Sequence, residues 1–335
     1  MAAARIAILG AGSVGCFIGG CWQAAGLPVS FIGRASFAHD IREHGLTISD
    51  FSGWETRLDD VDYACVPDAL GDAEVILLCV KSGATAEAAR DIAQHGADGA
   101  LVISFQNGVS NFEILERALG HRFRIVRGMV PFNIAYLGDG RVHKGVAGEL
   151  WAERRAETEA LAEQIGAGPA ALRLADDMAA MAWGKLLINL NNAVNALSGR
   201  TLLEELKQRD YRRVVAASQR EALGLLNAAG IKPAKVGAAS PRLLPRLIDS
   251  PDWLFNRLFL KKWKIDARAR SSMADDLAAG RRTEVDYING ELVALAERLD
   301  LDAPVNRRIV ELIRAAEAGA PPMAPADLRR AVLGA

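Results

Sequence analysis

Short runs of apolar residues alternate with stretches of helical periodicity along the first half of the chain. The apolar runs cover residues 6–9, 29–32, 75–80 and 101–105. Helix-like segments follow them at 13–25, 36–44 and 84–95, and a fourth begins near Ser110. Strands that alternate with helices are typical of parallel βαβ units, so this half is predicted to form a doubly wound parallel sheet.

The pattern changes in the region between residues 123 and 152. Two β-like stretches, 124–133 and 141–151, flank the turn Gly138-Asp139-Gly140. A glycine-rich turn between two apolar stretches is typical of a hairpin. We therefore expect antiparallel strands that extend the parallel sheet.

Only helical patterns remain beyond Asp176, and they cover 176–198, 210–229 and 281–299. A chain of 335 residues is also longer than one hydrophobic core usually serves. The sequence thus predicts an α/β protein with two domains. They are an amino-terminal Rossmann-type domain, residues 1–175, and a carboxy-terminal all-helical domain, residues 176–335.

Composition excludes several classes of protein. Half of the residues are hydrophobic, 24% are charged and the formal net charge is −1, which argues against disorder and against a nucleic-acid-coating protein. No apolar run approaches the roughly 18 residues of a membrane span, and the first residues lack the features of a signal peptide. We expect a cytoplasmic protein with neither a membrane nor nucleic acid as partner.

Charge is divided unevenly between the predicted domains. Residues 1–175 hold 15 basic and 21 acidic side chains, whereas residues 176–335 hold 25 and 20. A cleft with its basic wall in the helical half would favour an anionic substrate or cofactor.

The four cysteines form no Cys-x-x-Cys pair and no histidine stands at metal-ligand spacing beside them, so we predict reduced, structural cysteines and no metal site.

A glycine-rich loop follows the first predicted strand, with the sequence Gly10-Ala11-Gly12-Ser13-Val14-Gly15. Gly-x-Gly-x-x-Gly is weak evidence alone, but here it ends a strand and begins a helix, as in dinucleotide-binding folds. The first glycine permits the turn, the second lets a pyrophosphate approach, and the third lets helix and strand pack closely. Gly10, Gly12, Ser13, Val14 and Gly15 are therefore predicted to bind a nicotinamide dinucleotide.

Arg34 ends the second predicted strand, about 19 residues after Gly15. NAD-specific folds usually place an acidic residue there to hold the ribose 2′-hydroxyl. A guanidinium can instead bind a 2′-phosphate in a forked geometry, which favours NADPH. The alternative is an arginine in a solvated loop.

Candidate catalytic groups lie in the helical half. Lys185 and Asn189 are four residues apart and so share one helical face, where a lysine could donate a proton to a carbonyl oxygen. Farther on, Thr283, Glu284 and Asp286 form a polar entry to a helix, where acidic side chains also suit a helix start. Taken alone, each arrangement is explained at least as well without catalysis: the first as a surface lysine with an incidental asparagine, the second as the start of a helix.

Taken together, the motifs resemble the ketopantoate reductase family, in an order and spacing that cover nearly the whole chain. Besides the glycine loop and Lys185-x-x-x-Asn189, they are Val80-Lys81, Gln106-Asn107-Gly108, Ser271-Ser272-Met273 and Thr283-Glu284-Val285-Asp286-Tyr287-Ile288-Asn289-Gly290. The resemblance implies that NADPH delivers hydride to C2 of 2-dehydropantoate while Lys185 protonates the C2 oxygen.

The resemblance also implies roles for other residues. Glu284 and Ser272 would hold the substrate with help from Asn189, and Lys81 and Asn107 would lie at the cofactor edge of the site. Many members carry an asparagine eight residues after the lysine, where this chain has Ala193. One of Asn191, Asn192 and Asn195 could take over, and we list Asn195 among the substrate-binding candidates; alternatively, the pocket accepts a different 2-oxo acid.

Other functions stay open on the sequence alone. A related β-hydroxyacid dehydrogenase shares this layout, and a regulator that senses NADP(H) without catalysis would need only the glycine loop. The apolar-aromatic stretch 253–259 could face a partner, including a second copy in a homodimer, although core packing or a lid is favoured. The proline-interrupted segment 233–252 is expected to be a broken helix or loop that shapes the cleft.

Overall fold

The computed structural model describes residues 3–237, 239–260 and 268–334. The chain divides into two compact units, Met1–Met178 and Ala179–Ala335. This division falls three residues after the domain boundary expected from the sequence. Each unit is described by itself below.

The first unit is built around an eight-stranded sheet with the order β12-β11-β8-β7-β6-β1-β2-β5. The strands from β5 to β8 in this order are parallel, whereas β11 runs antiparallel to β8. Its strands are β1 (Ile6–Leu9), β2 (Val29–Ile32), β5 (Asp62–Ala64), β6 (Val75–Leu78), β7 (Leu101–Ser104), β8 (Arg124–Met129), β11 (Leu150–Glu153) and β12 (Leu172–Ala175). The predicted doubly wound sheet is confirmed.

Helices cover both faces of the central strands. They are α1 (Ser13–Ala24), α2 (Ala35–His44), α3 (Thr85–His95), α4 (Ser110–Leu119) and α5 (Ala156–Ile165). On β1, Ile6 and Ile8 pack in one core cluster, and Ala7 and Leu9 pack in the other. Burial on both faces explains why the central strands read as continuous apolar runs rather than alternating ones.

The expected extension of the sheet by a hairpin is wrong in part. The hairpin strands β9 (Ile134–Gly138) and β10 (Arg141–Lys144) are antiparallel to each other, but they belong to a second sheet of order β4-β3-β10-β9. Its other strands are β3 (Leu46–Asp50) and β4 (Glu55–Leu58), which the sequence pattern did not reveal. Strand β10 pairs in parallel with β3, about 90 residues earlier, a pairing that local periodicity cannot indicate.

The described residues of the second unit form helices joined by turns and loops, with no strand among them. Its helices are α6 (Met178–Asn189), α7 (Asn191–Ser198), α8 (Leu202–Leu206), α9 (Arg209–Ala228), α10 (Leu244–Ile248), α11 (Asp252–Phe255), α12 (Ser272–Ala278), α13 (Asn289–Arg298), α14 (Pro304–Glu317) and α15 (Pro325–Leu333). The expected helix 281–299 begins only at Asn289, after a short 3₁₀ turn at Val285–Tyr287. The expected helix 176–198 is divided at Leu190.

The proline-interrupted segment 233–252 packs against other helices of its unit. The buried guanidinium of Arg212 donates to the carbonyl oxygens of Ile248 and Ser250 at 2.6 and 2.7 Å and holds this segment to α9. In the stretch 253–259, Trp253 is 72% exposed and Phe255 is buried. The side chains of Leu258 and Phe259, and all of residues 238 and 261–267, lie outside the described part.

Among the residues described, every helix is too short or too polar to reach across a lipid bilayer.

Candidate functional site

The glycine loop makes a tight turn between β1 and α1. The amides of Gly10 and Ala11 both donate to the carbonyl oxygen of Ile32 at 2.9 Å, and the Gly12 amide donates to the carbonyl oxygen of Gly10 at 2.7 Å. Gly10 has a φ of +96°, a backbone conformation that other residues rarely adopt. The hydroxyl of Tyr63, in the edge strand β5, donates to the carbonyl oxygen of Ala11 at 2.6 Å and fixes the turn.

The three glycines differ in what surrounds them, and this difference tests whether a dinucleotide fits. A Cβ on Gly10 would lie 2.4 Å from the Val80 nitrogen, and one on Gly15 would lie 2.7 Å from the Gly10 carbonyl oxygen. A Cβ on Gly12, by contrast, would meet no atom within 4 Å. The loop therefore packs tightly at its two ends and is open in the middle, which fits a backbone that a pyrophosphate approaches.

The cofactor candidates of the first unit lie at one edge of its sheet. The last residues of β1, β2, β6 and β7 are in register, because Leu9 pairs with Ile32 and Leu78, and Leu78 pairs with Ser104. The loops after these parallel strands carry the glycine turn, Arg34, Lys81 and Asn107. Open α/β sheets bind ligands at the carboxyl ends of their strands, where the strand order reverses, and β1 lies at that point here.

Arg34 is exposed and stands directly before α2. Its guanidinium lies 5.3 Å from the centre of the Phe37 ring, and it forms no ion pair with any residue in the described ranges. Its charge is consequently available to a ligand at this edge of the sheet.

A buried polar network supports the loops of Lys81 and Asn107. The Thr85 hydroxyl and the Asn111 amide are linked at 2.7 Å, and the Gln106 amide donates to the Thr85 hydroxyl, also at 2.7 Å. The Ser82 hydroxyl donates to the Asn107 carbonyl oxygen at 3.1 Å. Of these supporting residues, the sequence motifs included Gln106 in Gln106-Asn107-Gly108 and indicated none of the others.

Lys185 and Glu284, the two catalytic candidates, interact electrostatically in the second unit. Lys185 lies in α6 and Glu284 directly precedes the 3₁₀ turn, and both side chains are half-buried. Burial lowers the pKa of Lys185 to about 8, and the nearby Glu284 carboxylate opposes that shift. A lysine with such a pKa carries a proton at neutral pH and can release it to a reacting group.

Gly184, the neighbour of Lys185, permits a close backbone approach that the sequence did not reveal. A Cβ on Gly184 would lie 2.2 Å from the carbonyl oxygen of Ala234. The Ala234 amide donates to the carbonyl oxygen of Ala180 at 2.8 Å. The start of the proline-interrupted segment therefore lies directly on α6, beside the lysine.

The asparagines that follow Lys185 have different surroundings. Leu190 keeps helical dihedral angles between α6 and α7, so Lys185, Asn189 and Asn192 are four and three residues apart on one helical face. The Asn192 side chain is half-buried and makes no hydrogen bond to any residue that the structure describes. Ala193 is fully buried.

Asn195 is engaged within the protein. Its amide nitrogen donates to the Arg200 carbonyl oxygen at 3.1 Å and to the Glu205 carboxyl at 3.3 Å, and its amide oxygen accepts from the Ser271 nitrogen at 2.9 Å. The Asn195 side chain is fully buried. It therefore positions the start of α12 and has little capacity left for a substrate.

The two serines before Met273 have separate tasks. Ser271 is buried and caps α12, since its hydroxyl accepts from the Ala274 nitrogen at 3.1 Å and donates to the Asn192 carbonyl oxygen at 3.0 Å. Ser272, the first residue of α12, is exposed. The cap thus ties the start of α12, directly before Ser272, to the backbone of Asn192.

Most polar residues around Glu284 anchor the segment to neighbouring helices. Thr283 donates to the Glu317 carboxylate through its nitrogen at 2.8 Å and its hydroxyl at 2.7 Å. Two further contacts, Arg314–Asp286 at 2.7 Å and Asn289–Asn306 at 2.9 Å, attach the same segment to α14. Thr283 and Asp286 therefore have a structural role, but it is attachment to α14 rather than the expected helix start, while Glu284 acts on Lys185.

Comparisons with known proteins show the family of this chain. The family model "Ketopantoate reductase PanE/ApbA" matches residues 6–157, and its carboxy-terminal counterpart matches residues 177–317. A 2-dehydropantoate 2-reductase of Archaeoglobus fulgidus is 27% identical over 324 residues, which are 94% of this chain and 98% of that protein.

Two solved structures are similar over most of their length. A PanE/ApbA family ketopantoate reductase from Ralstonia eutropha JMP134 has a TM-score of 0.81 and 29% identity, covering 94% of this chain and 98% of that one. D-mandelate dehydrogenase, solved with NADH and anilino(oxo)acetate, has a TM-score of 0.79 and 21% identity, with coverages of 94% and 98%. The latter likeness concerns the fold alone.

Proposed function

The chain belongs to the ketopantoate reductase family, and we propose that it reduces 2-dehydropantoate to pantoate with NADPH. The observation that carries this proposal is the interaction between Lys185, with its lowered pKa, and Glu284. A protein that only binds the cofactor needs neither. The glycine loop, open at Gly12, supports a nicotinamide dinucleotide as the cofactor.

In this proposal Lys185 is the general acid. The bound dinucleotide supplies a hydride to C2 of the substrate, which becomes an alcohol carbon. Lys185 Nζ gives its proton to the C2 oxygen, so that no alkoxide has to persist. Because the pKa of Lys185 is about 8, the ammonium form predominates at neutral pH and yet releases its proton more readily than an ordinary lysine.

Glu284, Ser272 and Asn189 are proposed to hold the substrate. The Glu284 carboxylate can accept a hydrogen bond from the substrate hydroxyl, and the exposed Ser272 hydroxyl can donate one to its carboxylate. Among the three asparagines that could replace the one absent at position 193, we favour Asn192. It shares the face of Lys185 and Asn189, whereas Asn195 is already occupied by Ser271, Arg200 and Glu205.

Arg34 supports NADPH as the reductant. An exposed guanidinium after the second strand suits a 2′-phosphate, and no acidic residue stands in the same position to bind the ribose hydroxyls of NADH. Lys81 and Asn107 are proposed to contact the cofactor from the loops after β6 and β7.

A second candidate is the reduction of a different 2-oxo acid. The observation that favours it is Ala193, a buried apolar residue where many family members have an asparagine. A pocket that lacks this amide would tolerate a less polar substrate side chain. The cofactor and the role of Lys185 would be the same in both cases.

The proposal is tested by the oxidation of NADPH, followed with purified protein against 2-dehydropantoate and a panel of other branched 2-oxo acids, with NADH in parallel. We expect the highest kcat/KM for 2-dehydropantoate with NADPH. A higher value for another panel member would select the second candidate. Inactivity with every acid and both cofactors would refute catalysis and favour a regulator that senses NADP(H).

A further inference from the structure

Glu205 is a carboxyl group that the proposed reaction does not use and that is completely buried. It lies in the short helix α8 and has 0% exposure. An ionised carboxylate in such a place is costly unless it is paired with a cation or fully hydrogen-bonded. Its surroundings therefore indicate which protonation state it adopts.

Two asparagines of α7 donate to Glu205. Asn191 Nδ2 lies 3.1 Å from Glu205 Oε2, and Asn195 Nδ2 lies 3.3 Å from the same oxygen. Asn195 in turn accepts from the Ser271 nitrogen at 2.9 Å, directly before Ser272. One oxygen of Glu205 thus anchors a chain of contacts that ends beside a proposed substrate-binding serine.

The other oxygen of Glu205 is buried and has no hydrogen-bond partner among the described residues, and the same holds for Asn191 Oδ1. These two orphaned oxygens belong to the two groups that the 3.1 Å bond already joins. A carboxylate and an amide oxygen cannot satisfy each other, since both only accept. A proton on Glu205 Oε1 would supply a donor to this group of buried acceptors, which an ionised carboxylate cannot do.

The Arg212 guanidinium, whose charge acts on Glu205, has partners for both of its terminal nitrogens, while its buried Nε has no hydrogen-bond partner among the described residues. Arg212 of α9 donates to Ile248 and Ser250, pairs with the Asp252 carboxylate, and stacks on the Phe255 ring at 4.2 Å. Tyr211 donates to the Met323 carbonyl oxygen at 2.6 Å and also interacts with Arg200. No described cation donates directly to the Glu205 carboxyl.

We propose that Glu205 is a positioning residue held as a neutral carboxylic acid, which pairs with Asn191 and, through Asn195 and Ser271, fixes Ser272. Burial raises the pKa of Glu205 to about 8, and the two asparagines and the charge of Arg212 offset that rise only in part. The part of the proposal that concerns Ser272 rests on the proposed function.

Thermal unfolding of Glu205→Gln tests the protonation state without any activity assay. Between pH 5 and pH 8 the unfolded chain ionises Glu205, whereas the folded protein keeps its proton, so the contribution of Glu205 to the stability of the natural protein falls as pH rises. Glutamine keeps one acceptor oxygen, places an NH₂ donor group where the acid carries its proton, and does not titrate. We expect the difference in Tm, variant minus natural protein, to increase by roughly 5 °C or more from pH 5 to pH 8.

Glu204→Gln is the matched control, because Glu204 is the exposed neighbour in the same helix and glutamine can replace it in the Thr201 capping box. Its Tm difference should not rise over that range. A Glu205→Gln difference as constant as that of the control would mean that folded Glu205 is ionised, and would overturn the proposal.

Hydrogen exchange and kinetics test the positioning of Ser272. In Glu205→Ala, the amides of residues 271–275 should exchange at least 10-fold faster and the KM for 2-dehydropantoate should rise more than kcat falls, whereas Glu205→Gln should preserve both. Unchanged exchange in a folded Glu205→Ala protein would refute the positioning role. If the amides of Glu205→Ala exchange faster but the natural protein reduces no 2-oxo acid, the positioning role of Glu205 is upheld and the proposed function is refuted.

Discussion

The carboxylate of Glu284 raises the pKa of Lys185, whereas burial lowers it. The effect of burial is the larger of the two, so the pKa lies at about 8. The two residues are 99 positions apart in the sequence and come together through the packing of the second unit. The pKa of the proposed general acid therefore depends on the charge of Glu284. Replacing Glu284 by glutamine removes that charge and leaves the volume of the side chain nearly unchanged.

Glu284→Gln should move the alkaline limb of the pH profile of kcat to lower pH. The substitution removes the charge that favours the ammonium form, so the pKa of Lys185 falls below about 8 and the general acid is lost earlier as pH rises. Asp286→Asn is the control, because Asp286 is exposed and pairs with Arg314 instead. An alkaline limb at the same pH in Glu284→Gln and in the natural protein would show that Glu284 does not influence the pKa of Lys185.

Lys185→Ala should lower the turnover of 2-dehydropantoate by roughly 100-fold or more, as expected when a positioned general acid is removed. Binding of NADPH, measured by fluorescence titration, should change little. Lys207→Ala, at an exposed position of the same unit, controls for the loss of a positive charge. Turnover near that of the natural protein would refute the role of Lys185.

Arg34→Asp should raise the KM for NADPH far more than the KM for NADH. The change removes the guanidinium proposed to bind the 2′-phosphate and introduces a charge that repels it, whereas a carboxylate can accept from the ribose hydroxyl of NADH. Arg42→Asp, an exposed position in the helix that follows, shows the effect of charge reversal alone. Equal changes in the two KM values would eliminate Arg34 as the specificity residue.

Gly184→Ala should destabilise the second unit by about 1–3 kcal/mol and lower activity, because its Cβ would lie 2.2 Å from the Ala234 carbonyl oxygen. Gly224→Ala should instead stabilise the protein by about 0.5–1 kcal/mol, since Gly224 lies within α9 and a Cβ there meets no atom within 4 Å. Denaturant unfolding of both variants measures the contrast. Similar stabilities for the two would contradict the close packing inferred at Gly184.

Several features could be predicted because they depend on neighbours in the chain. The central strands of the first sheet are apolar runs of the right length, and the loop at Gly10 combines three glycines with a strand before it and a helix after it. The family resemblance, which the family models confirm, also came from motifs a few residues long. Local conformation and burial pattern are encoded at this range.

Other features escaped prediction because their causes lie far apart in sequence. The residues from Leu46 to Ser49 alternate between apolar and polar, as in a strand, but nothing near them indicates that this strand pairs with β10 in a second sheet. Three polar residues near Glu284 form hydrogen bonds to Glu317, Arg314 and Asn306 of α14. Glu284 itself interacts with Lys185 instead, and only the packing of these distant segments reveals the difference. Asn195, a substrate-binding candidate by spacing, is instead engaged by Ser271.

By itself the sequence determined the alternation of the central strands and helices, the glycine turn at Gly10 and the family to which the chain belongs, since these follow from periodicity, glycine conformations and short motifs. The tertiary structure alone decided which polar side chains have partners and which remain available. Partners depend on burial and on contacts between segments that are distant in the sequence. Glu284 acts on Lys185, the Asn195 side chain is hydrogen-bonded within the protein, and the Asn192 side chain makes no hydrogen bond to any described residue.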